Sequence, residues 1–567
     1  ILTKQKTLRK LALYSAGYLD ATAELFVKVD TGFKSVKKFE VFQTKTVENL
    51  AKGFKPDARF DLALGEIQGK EFRIVFHPRG KKQSKISKIS LDQTPVLNNY
   101  IEKSLARVAN WGAGKDQTKD LKFPQTQEVL DISKYMSADG ALNWNVPASN
   151  WLIMRMGLRF IDVKNGPASF EAEGLEVDKM SAAHIAEHFD AFIGDIMKRV
   201  PPEDRKTFKT TVIDSYERGG QNFTDGFLEE FKQRYGYDAT PFLPVYDGHI
   251  IGNVDMSERF LWDLRRLVAD DISYKYVGGL RDVSHKYGLT TWLENYGHSG
   301  FAGESLQYGG QSDEVAGEYW WSPGKTDGKF EPRIAASAAH IYGKNKVWAE
   351  SFTSGSWAEN YAFSAYPADL KRVGDWAFIE GINSTLLHVY IQQPYEDKYP
   401  GVDAWFGTEF NRKNTWFSQM DLFTTYHKRC NFMLQQGLNK ADVAYFTGED
   451  VPQMSGVTSP EIPVGYDYDF INAEVILRDL SVKDGQLVLP HGTSYRILVL
   501  PKKQTMRPEL LKKIEELVAQ GAVILGSAPT KSPSLQGYPN ADSEVQQLAQ
   551  KLWGDSSAKK HQFGKGM

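Results

Sequence analysis

Short apolar runs that alternate with helical stretches occupy the middle of the chain. Four of these runs end in a glutamate beside aromatic or small polar residues: VIDSYE at Glu217, TWLENYG at Glu294, VAGEYWW at Glu318 and KVWAESFT at Glu350. Strands that alternate with helices of this length favour a parallel α/β barrel. Because a barrel places the ends of its strands around one mouth, we expect these acids to converge on one substrate.

The number of predicted barrel strands is six rather than eight. The run WLIMRMG at residues 151–157 is apolar enough for a further buried strand, and STLLHVYIQQP adds the last one. Either two strands precede Ile1, with the N-terminal region inserted before the third, or the barrel is degenerate. The first interpretation makes VIDSYE the fourth strand and KVWAESFT the seventh.

Two further domains flank the predicted barrel, which spans residues 126–430. Residues 1–125 contain alternating runs such as ELFVKVD and EFRIVFH, which indicate an antiparallel β-sandwich. Residues 431–567 contain the strands DVAYFTG, YRILVLP and AVILGSAP with the helix MRPELLKKIEELVAQG, a pattern typical of a doubly wound, flavodoxin-like or Rossmann-like domain. The fold class is therefore multidomain α/β and β. This last unit lacks a glycine-rich phosphate loop, so no nucleotide is expected.

Charge and hydropathy exclude several classes of protein. The formal net charge is −2 with 25% charged residues, so nothing recruits nucleic acid by bulk charge. No run reaches the roughly 18 apolar residues of a membrane span. Cys430 is the single cysteine, which excludes a disulfide framework within the chain. The first residues, ILTKQKTLRK, contain neither an initiator methionine nor a signal sequence, so we expect processing or truncation.

A glycosidase typically uses a pair of carboxyl groups, because one must donate a proton to the leaving oxygen while the other stays ionised. The strand count places Glu217 and Glu350 on opposite sides of the mouth, which makes them the natural pair. A lone glutamate of this kind is more often an ion-pair partner or a helix cap. Asp214, Glu294 and Glu318 add further negative charge, which requires Arg, Lys or a hard cation such as Ca²⁺.

Several neighbours of these acids are candidate substrate-binding residues. Asp214, Tyr216 and Glu294 belong to this group. His388 either binds a sugar hydroxyl or makes a polar contact in the barrel core. Trp320, followed by another tryptophan, forms either an aromatic platform for the sugar or part of the core. His298 has no partner histidine at zinc-like spacing, so zinc is not expected.

Longer blocks of the sequence are similar to one known family. The blocks DSYERGGQNFTDGFLEEFKQRYGYDATPFLPV, LENYGH, GEYWW, AASAAHIYGKNKVWAESFTS, HVYIQQP and GYDYDFINAEVILRDLSVKDGQLVLP together resemble glycoside hydrolase family 106, the α-L-rhamnosidases. The resemblance covers roughly residues 130 to 540. It implies an inverting hydrolase that removes terminal α-L-rhamnose from plant polysaccharides or rhamnosides, with calcium at the active site. Family members extend beyond this chain at both ends.

The resemblance also implies roles for individual residues. Glu217 matches the general acid of the family, Glu350 the proposed base, and Glu318 an acid at the metal or at the sugar hydroxyls. The implied partner is a rhamnose-containing oligosaccharide or polysaccharide, and the implied location is periplasmic or secreted. Two alternatives stay open: a β-galactosidase-like barrel glycosidase, and a truncated, non-catalytic carbohydrate-binding protein.

Overall fold

The computed structural model describes residues 2–15, 18–43, 59–80, 83–106, 121–161, 163–166, 168–217, 219–297, 300–324, 332–355, 362–404, 406–554 and 559–567. Along the chain, an antiparallel sandwich is followed by an irregular segment, a parallel sheet with helices and a second α/β unit. Buried hydrophobic clusters lie inside the sandwich, behind the parallel sheet and inside the second α/β unit.

Two three-stranded antiparallel sheets form the N-terminal sandwich, in the orders β4-β1-β6 and β3-β2-β5. Their strands are β1 (Lys6–Ser15), β2 (Leu19–Val29), β3 (Gly32–Gln43), β4 (Arg59–Gly69), β5 (Phe72–Pro78) and β6 (Ile86–Asp92). In β2 the side chains of Leu19, Ala21, Ala23, Leu25 and Val27 are buried, and the residue between each pair is more exposed. This period of two is the reason that the sequence LDATAELFVKV forms a strand with one face on the core.

Five parallel strands form the sheet that positions the candidate site; we call it the barrel sheet. They are β7 (Thr210–Ile213), β8 (Thr290–Glu294), β9 (Glu314–Trp320), β10 (Val347–Thr353) and β11 (Ser384–Leu387). Each strand pairs in parallel with the next one along the chain. Parallel neighbours need a crossover connection, and helices lie between these strands. The arrangement fits part of an α/β barrel, as the sequence predicts.

The residues WLIMRMG do not form the barrel strand that their apolar character predicts. Residues 151–157 have no strand pairing in the structure, and most of their side chains are exposed, for example Leu152 at 69% and Ile153 at 53%. A strand requires a hydrogen-bonding neighbour as well as apolar side chains. In the described ranges that neighbour is absent, so the barrel sheet has five strands and not six.

Helices cover the barrel sheet and the C-terminal unit. They are α1 (Tyr100–Lys103), α2 (Ala182–Arg199), α3 (Phe227–Tyr235), α4 (Val254–Asp271), α5 (Gly278–Lys286), α6 (Ser305–Gly310), α7 (Pro332–Ile341), α8 (Pro367–Ile379), α9 (Met420–Leu434), α10 (Ala473–Arg478), α11 (Pro508–Gln520) and α12 (Asn540–Trp553). Ser181 caps α2 by accepting a hydrogen bond from the N–H of His184 at 3.3 Å. None of the helices that the structure describes is long and apolar enough to cross a membrane.

The long helical segment before β8 continues through Gly278 and Gly279, two residues of low helix propensity. A π-helical stretch, Ile272–Val277, connects α4 directly to α5. A Cβ atom added to Gly279 would lie 3.5 Å from Ile185 of α2. An added methyl group would make only an ordinary van der Waals contact at that distance, so the helix packing does not require glycine there.

The C-terminal unit contains a four-stranded parallel sheet in the order β13-β12-β17-β18 and a small antiparallel sheet. The strands are β12 (Val443–Phe446), β13 (Tyr468–Ile471), β14 (Ser481–Lys483), β15 (Gln486–Val488), β16 (Ser494–Tyr495), β17 (Ile497–Val499) and β18 (Ile524–Leu525). Helix α11 buries one stripe of side chains, including Leu510, Ile514 and Leu517, against this core. The sequence predicts β12, β17, β18 and α11, but β13 is an additional strand.

Buried contacts join the barrel sheet to the C-terminal unit. The loop after β8 forms a parallel bridge between Glu304 and Gln453. The guanidinium of Arg266 donates to Glu304 at 2.7 Å and to Asp270 at 2.8 Å, and all three side chains are at most 10% exposed. Because removing one partner would leave an unpaired buried charge, breaking these contacts would be strongly destabilising.

Candidate active site

Five carboxylates lie at the carboxyl end of the barrel sheet. Glu294 ends β8, Glu318 lies on β9 and Glu350 on β10, while Asp214 and Glu217 follow β7. The register places Glu350 directly beside Glu318, so both side chains leave the same face of the sheet. Because parallel strands end at one edge, the acids that the sequence predicts at the mouth are brought together.

Glu294 is the most deeply buried of the five, with 3% of its surface exposed. Its Oε2 accepts a hydrogen bond from the N–H of Ser215 at 3.2 Å. Burial raises the pKa of Glu294 well above its ordinary value, and a hydrogen bond with Asp214 and the charges of the neighbouring glutamates raise it further. A hydrogen bond between two carboxyl groups requires a proton, so this contact favours the protonated form of Glu294.

Glu318 is also buried, at 8% exposure. Burial raises its pKa to about 8, and the charge of Glu350 contributes next. The indole Nε1 of Trp320 donates a hydrogen bond to Glu318, and this hydrogen bond lowers the pKa of Glu318. Without a nearby cation, Glu318 therefore holds a proton at neutral pH.

Glu350 is partly buried, with 20% of its side chain exposed. Burial raises its pKa, the hydroxyl of Thr353 opposes this by donating a hydrogen bond to Oε1, and the charges of Asp214 and Glu217 raise it again. The carboxylate has one oxygen engaged by a neutral donor.

Glu217 is exposed at the rim of the site. The hydroxyl of Ser215 donates to its Oε1 at 2.8 Å. The charge of Glu217 raises the pKa of both Glu318 and Glu350, so it faces the same space as those two side chains. Its position leaves it accessible to a substrate that enters from solvent.

His388 follows β11 and lies against Glu350. Its Nδ1 is 3.2 Å from Oγ1 of Thr353 and 3.5 Å from Oε1 of Glu350, and its ring stacks on Phe406 with centroids 5.8 Å apart. Burial lowers the pKa of His388 to about 4, although the charge of Asp214 opposes this. The imidazole is therefore neutral, and its contact with Glu350 is not an ion pair. The structure places His388 beside Glu350 at the mouth, and its contact with a sugar hydroxyl stays a prediction.

Tyr216 and Trp320 occupy different environments. Tyr216 is 2% exposed, its phenol donates to the carbonyl of Gly219 at 2.9 Å, and its ring packs against Phe301. These contacts favour a role in shaping the turn after β7 over direct contact with a sugar. Trp320 is half-buried at the mouth and bonds to Glu318, whereas Trp321 is buried in the core.

Tyr296 and Thr353 belong to the site although the sequence analysis does not single them out. Burial and then the charges of the surrounding glutamates raise the pKa of Tyr296, which keeps its phenol protonated as a hydrogen-bond donor. Tyr296 stands two residues beyond Glu294, and this period-two spacing is a signal that could have identified it. Thr353 follows a strand irregularity, for which the sequence has no comparable signal.

The acids at the mouth offer oxygen ligands for a metal ion, but they do not surround a single metal position. Within the described ranges, no three Asp, Glu, His or Cys side chains form a group that could hold a metal ion. Calcium also accepts main-chain carbonyl, water and hydroxyl oxygens, so one or two carboxylates are enough for its protein ligands. The acids present therefore fit a calcium ion only if other oxygens complete its shell. His298 lies outside the described residues.

Glu318→Gln is expected to remove a pH-dependent loss of stability. The folded-state pKa of about 8 exceeds the ordinary 4.5, so between these values only the folded state holds the proton. The free energy of unfolding of the wild type then falls as the pH rises through this window, whereas glutamine mimics the protonated form at every pH. In urea unfolding with a chelator present, the free energy of unfolding of the variant should rise relative to that of the wild type by on the order of 1 kcal/mol for each pH unit. A stability difference that does not change with pH would contradict this.

Three comparisons place the chain among known proteins. The family model of glycoside hydrolase family 106, described as alpha-L-rhamnosidase, matches residues 21–567. A rhamnosidase structure from Novosphingobium sp. PP1Y superposes with a TM-score of 0.85 at 27% identity, covering 100% of this chain and 53% of that one. A curated relative from Formosa agariphila, named putative beta-glucuronidase, is 40% identical over 438 residues, which is 77% of this chain and 36% of the relative.

A beta-galactosidase structure from Marinomonas ef1 also matches, with a TM-score of 0.43 at 13% identity, over 68% of this chain and 64% of that one. The chain thus spans about half the length of the rhamnosidase and about a third of the curated relative. The match to the family model covers nearly the whole chain, and the carboxylates at the mouth lie within it. The chain belongs to glycoside hydrolase family 106, the alpha-L-rhamnosidase family.

Proposed function

We propose that this chain carries the catalytic barrel of an inverting α-L-rhamnosidase that releases terminal α-L-rhamnose from plant polysaccharides or rhamnosides. The observation that carries the proposal is the convergence of carboxylates from neighbouring parallel strands on one mouth, in a chain of this family. A polysaccharide substrate is too large to enter a cell intact, so we propose a periplasmic or secreted location.

In the proposed reaction Glu217 is the general acid and Glu350 the general base. Glu217 gives its proton to the glycosidic oxygen as the bond to the anomeric carbon breaks, and a water attacks that carbon from the opposite face. The proton of the water passes to Glu350, and the sugar leaves with inverted configuration. The exposure of Glu217 suits contact with an incoming glycoside, and the partial burial of Glu350 suits a base beside an enclosed water.

The charge of the site favours a neutral sugar over a uronic acid. The hydrogen-bond donors that contact Glu294, Glu318 and Glu350 in the described residues are backbone N–H, indole and hydroxyl groups. None of these donors is an Arg or Lys side chain, so they offer the carboxylate of a glucuronide no charge-assisted hydrogen bond. Rhamnose carries no charge, so this observation supports a rhamnoside although the curated relative is named a putative beta-glucuronidase.

A panel of aryl glycosides tests the sugar. We expect turnover of the α-L-rhamnoside, with the β-D-glucuronide and the β-D-galactoside slower by at least about a hundredfold in kcat/KM, because each loses favourable contacts or adds repulsion. NMR of the first product anomer tests inversion. Faster cleavage of the glucuronide or the galactoside would replace the proposed sugar, and rhamnoside binding without cleavage would favour a non-catalytic carbohydrate-binding protein.

Replacement of the two catalytic glutamates separates their roles. Glu217→Gln and Glu350→Gln should each lower kcat on a natural rhamnoside by about a thousandfold, because each removes one proton transfer. With an aryl rhamnoside that has a good leaving group, Glu217→Gln should recover most of its rate and Glu350→Gln should not. Glu187→Gln, on the exposed surface of α2, is the matched control. A wild-type rate in either active-site variant would contradict the assignment.

We also propose that a calcium ion binds beside Glu318, completed by oxygen ligands other than the carboxylates. Burial and then the charges of Glu350, Glu217 and Asp214 raise the pKa of Glu318, and a divalent cation beside it would favour its ionised form. Bound calcium would supply a fixed positive charge near the sugar hydroxyls. Glu318 would hold the ion, and Trp320 would orient Glu318.

Removal of calcium provides the test. A chelator should lower both kcat/KM and the midpoint of thermal unfolding, and added calcium should restore both, because binding only to the folded state stabilises it. Glu318→Gln should weaken the calcium-dependent shift of the midpoint. An unfolding midpoint that responds to neither the chelator nor calcium would exclude the proposed ion.

A further inference from the structure

Strand β10 contains a bulge near its carboxyl end. Ser351 pairs with Tyr319 and Thr353 pairs with Trp320, so Phe352 is an extra residue on this side of the ladder. Phe352 has a φ of 67°, in the left-handed region that a phenylalanine seldom adopts. An extra residue in one strand changes the side of the sheet to which the following side chains point.

The bulge brings the hydroxyl of Thr353 to Glu350. In a regular strand, residues three positions apart face opposite sides of the sheet. With one extra residue, Thr353 returns to the side of Glu350 and donates a hydrogen bond to its Oε1. Phe352 instead enters the helix layer, where its ring lies 5.8 Å from Phe423 and 5.5 Å from His427 of α9.

Contacts on both sides hold the bulge in place. Thr408 donates from its hydroxyl to the carbonyl of Phe352 at 2.6 Å, and the N–H of Trp321 donates to the carbonyl of Thr353 at 2.7 Å. Phe352 and Thr353 are at most 1% exposed. A left-handed phenylalanine persists only where its surroundings impose that conformation, and such residues cluster at functional sites.

The hydroxyl of Thr353 also connects Glu350 to His388. A hydroxyl has a single proton, and here it is donated to Glu350. The contact of 3.2 Å between Oγ1 of Thr353 and Nδ1 of His388 therefore requires the proton of the neutral imidazole to be on Nδ1. The three side chains form a chain of donors that runs from imidazole through hydroxyl to carboxylate.

We propose that Thr353 is a positioning residue for Glu350 and that His388 acts through Thr353. The proposal rests on the proposed function, in which Glu350 deprotonates the attacking water. The hydroxyl of Thr353 engages Oε1 and fixes the plane of the carboxylate, which leaves Oε2 directed to the water. His388 fixes the direction in which the hydroxyl proton points.

The first test compares Thr353→Val with Thr353→Ser in the full-length protein. Valine keeps the volume but removes the hydroxyl, so kcat on a rhamnoside should fall by about ten- to a hundredfold while KM stays within about twofold. Serine keeps the hydroxyl and should retain kcat to within about threefold. A purely structural role for Thr353 would not separate these two variants in kcat.

The second test is a double-mutant cycle with His388. His388→Leu removes the donor and should lower kcat, whereas His388→Asn places an amide N–H near the position of Nδ1 and should retain much of it. If His388 acts through Thr353, the variant with both Thr353→Val and His388→Leu should lose no more than Thr353→Val alone. Additive losses would overturn this part of the proposal. If Thr353→Val does not fold, the comparison between His388→Leu and His388→Asn decides, and equal losses overturn the proposal.

A matched control lies in the neighbouring strand. Thr385 on β11 contacts Nδ1 of His427 at 3.4 Å, a hydroxyl–imidazole pair of the same kind that faces the helix layer. Thr385→Val should change stability but not kcat. A wild-type kcat in Thr353→Val, with Glu350→Gln inactive, overturns the proposal and leaves the proposed function intact. A wild-type kcat in Glu350→Gln overturns the proposed function and this role of Thr353 with it.

Discussion

Repulsion between carboxylates in a poorly solvated place is the constraint on which the rest of the structure depends. The parallel pairing of β7 to β10 brings the acids of separate strands to one edge of the sheet. Burial and neighbouring charges raise the pKa values of Glu294, Glu318 and Glu350 together. Ionising them costs folding free energy, so the strands that carry them must be stabilised by other parts of the molecule.

Two buried arrangements behind the mouth supply that stabilisation. On one side, the aromatic cluster around Phe352 fills the space between β10 and helix α9 and imposes the bulge. On the other side, Arg266 holds Glu304 and thereby the loop that leaves β8 for the C-terminal unit. Both lie away from the mouth, in the layers that a substrate does not enter. The stability of the strands at the mouth therefore depends on the helices and on the second α/β unit as well as on strand pairing.

The strands and their terminal acids could be predicted from the sequence because each depends on local information. The glutamate after the short apolar run marks the end of β8, whereas β10 continues beyond Glu350 to Thr353, and parallel pairing brings Glu294 and Glu350 to one edge. The segment at residues 151–157 shows the limit of this reasoning, because apolar character does not specify a pairing partner. Tyr216 shows another, since the chain turns after β7 and period two no longer decides which side chains face the mouth.

The position of Thr353 could not be predicted for a more specific reason. Counting by twos from Glu350 assigns Phe352 to the mouth and Thr353 to the helix layer, which is the reverse of what the structure contains. This bulge arises because the tertiary packing of Phe352 outweighs the conformational preference of its own backbone. A local sequence pattern does not contain the information on that packing.

Unequal burial also gives the similar acids of this cluster different surroundings. Glu217 is exposed at the rim, Glu350 is partly buried, and Glu294 is almost fully buried. A carboxyl group keeps its proton more firmly as it loses water and gains charged neighbours, so depth within one mouth separates the pKa values of otherwise identical groups. Hydroxyl and indole donors then adjust individual members, as Thr353 does for Glu350 and Trp320 for Glu318. Burial therefore orders these acids in the free protein, and a bound sugar that covers Glu217 would be needed to favour the protonated form that the proposed general acid requires.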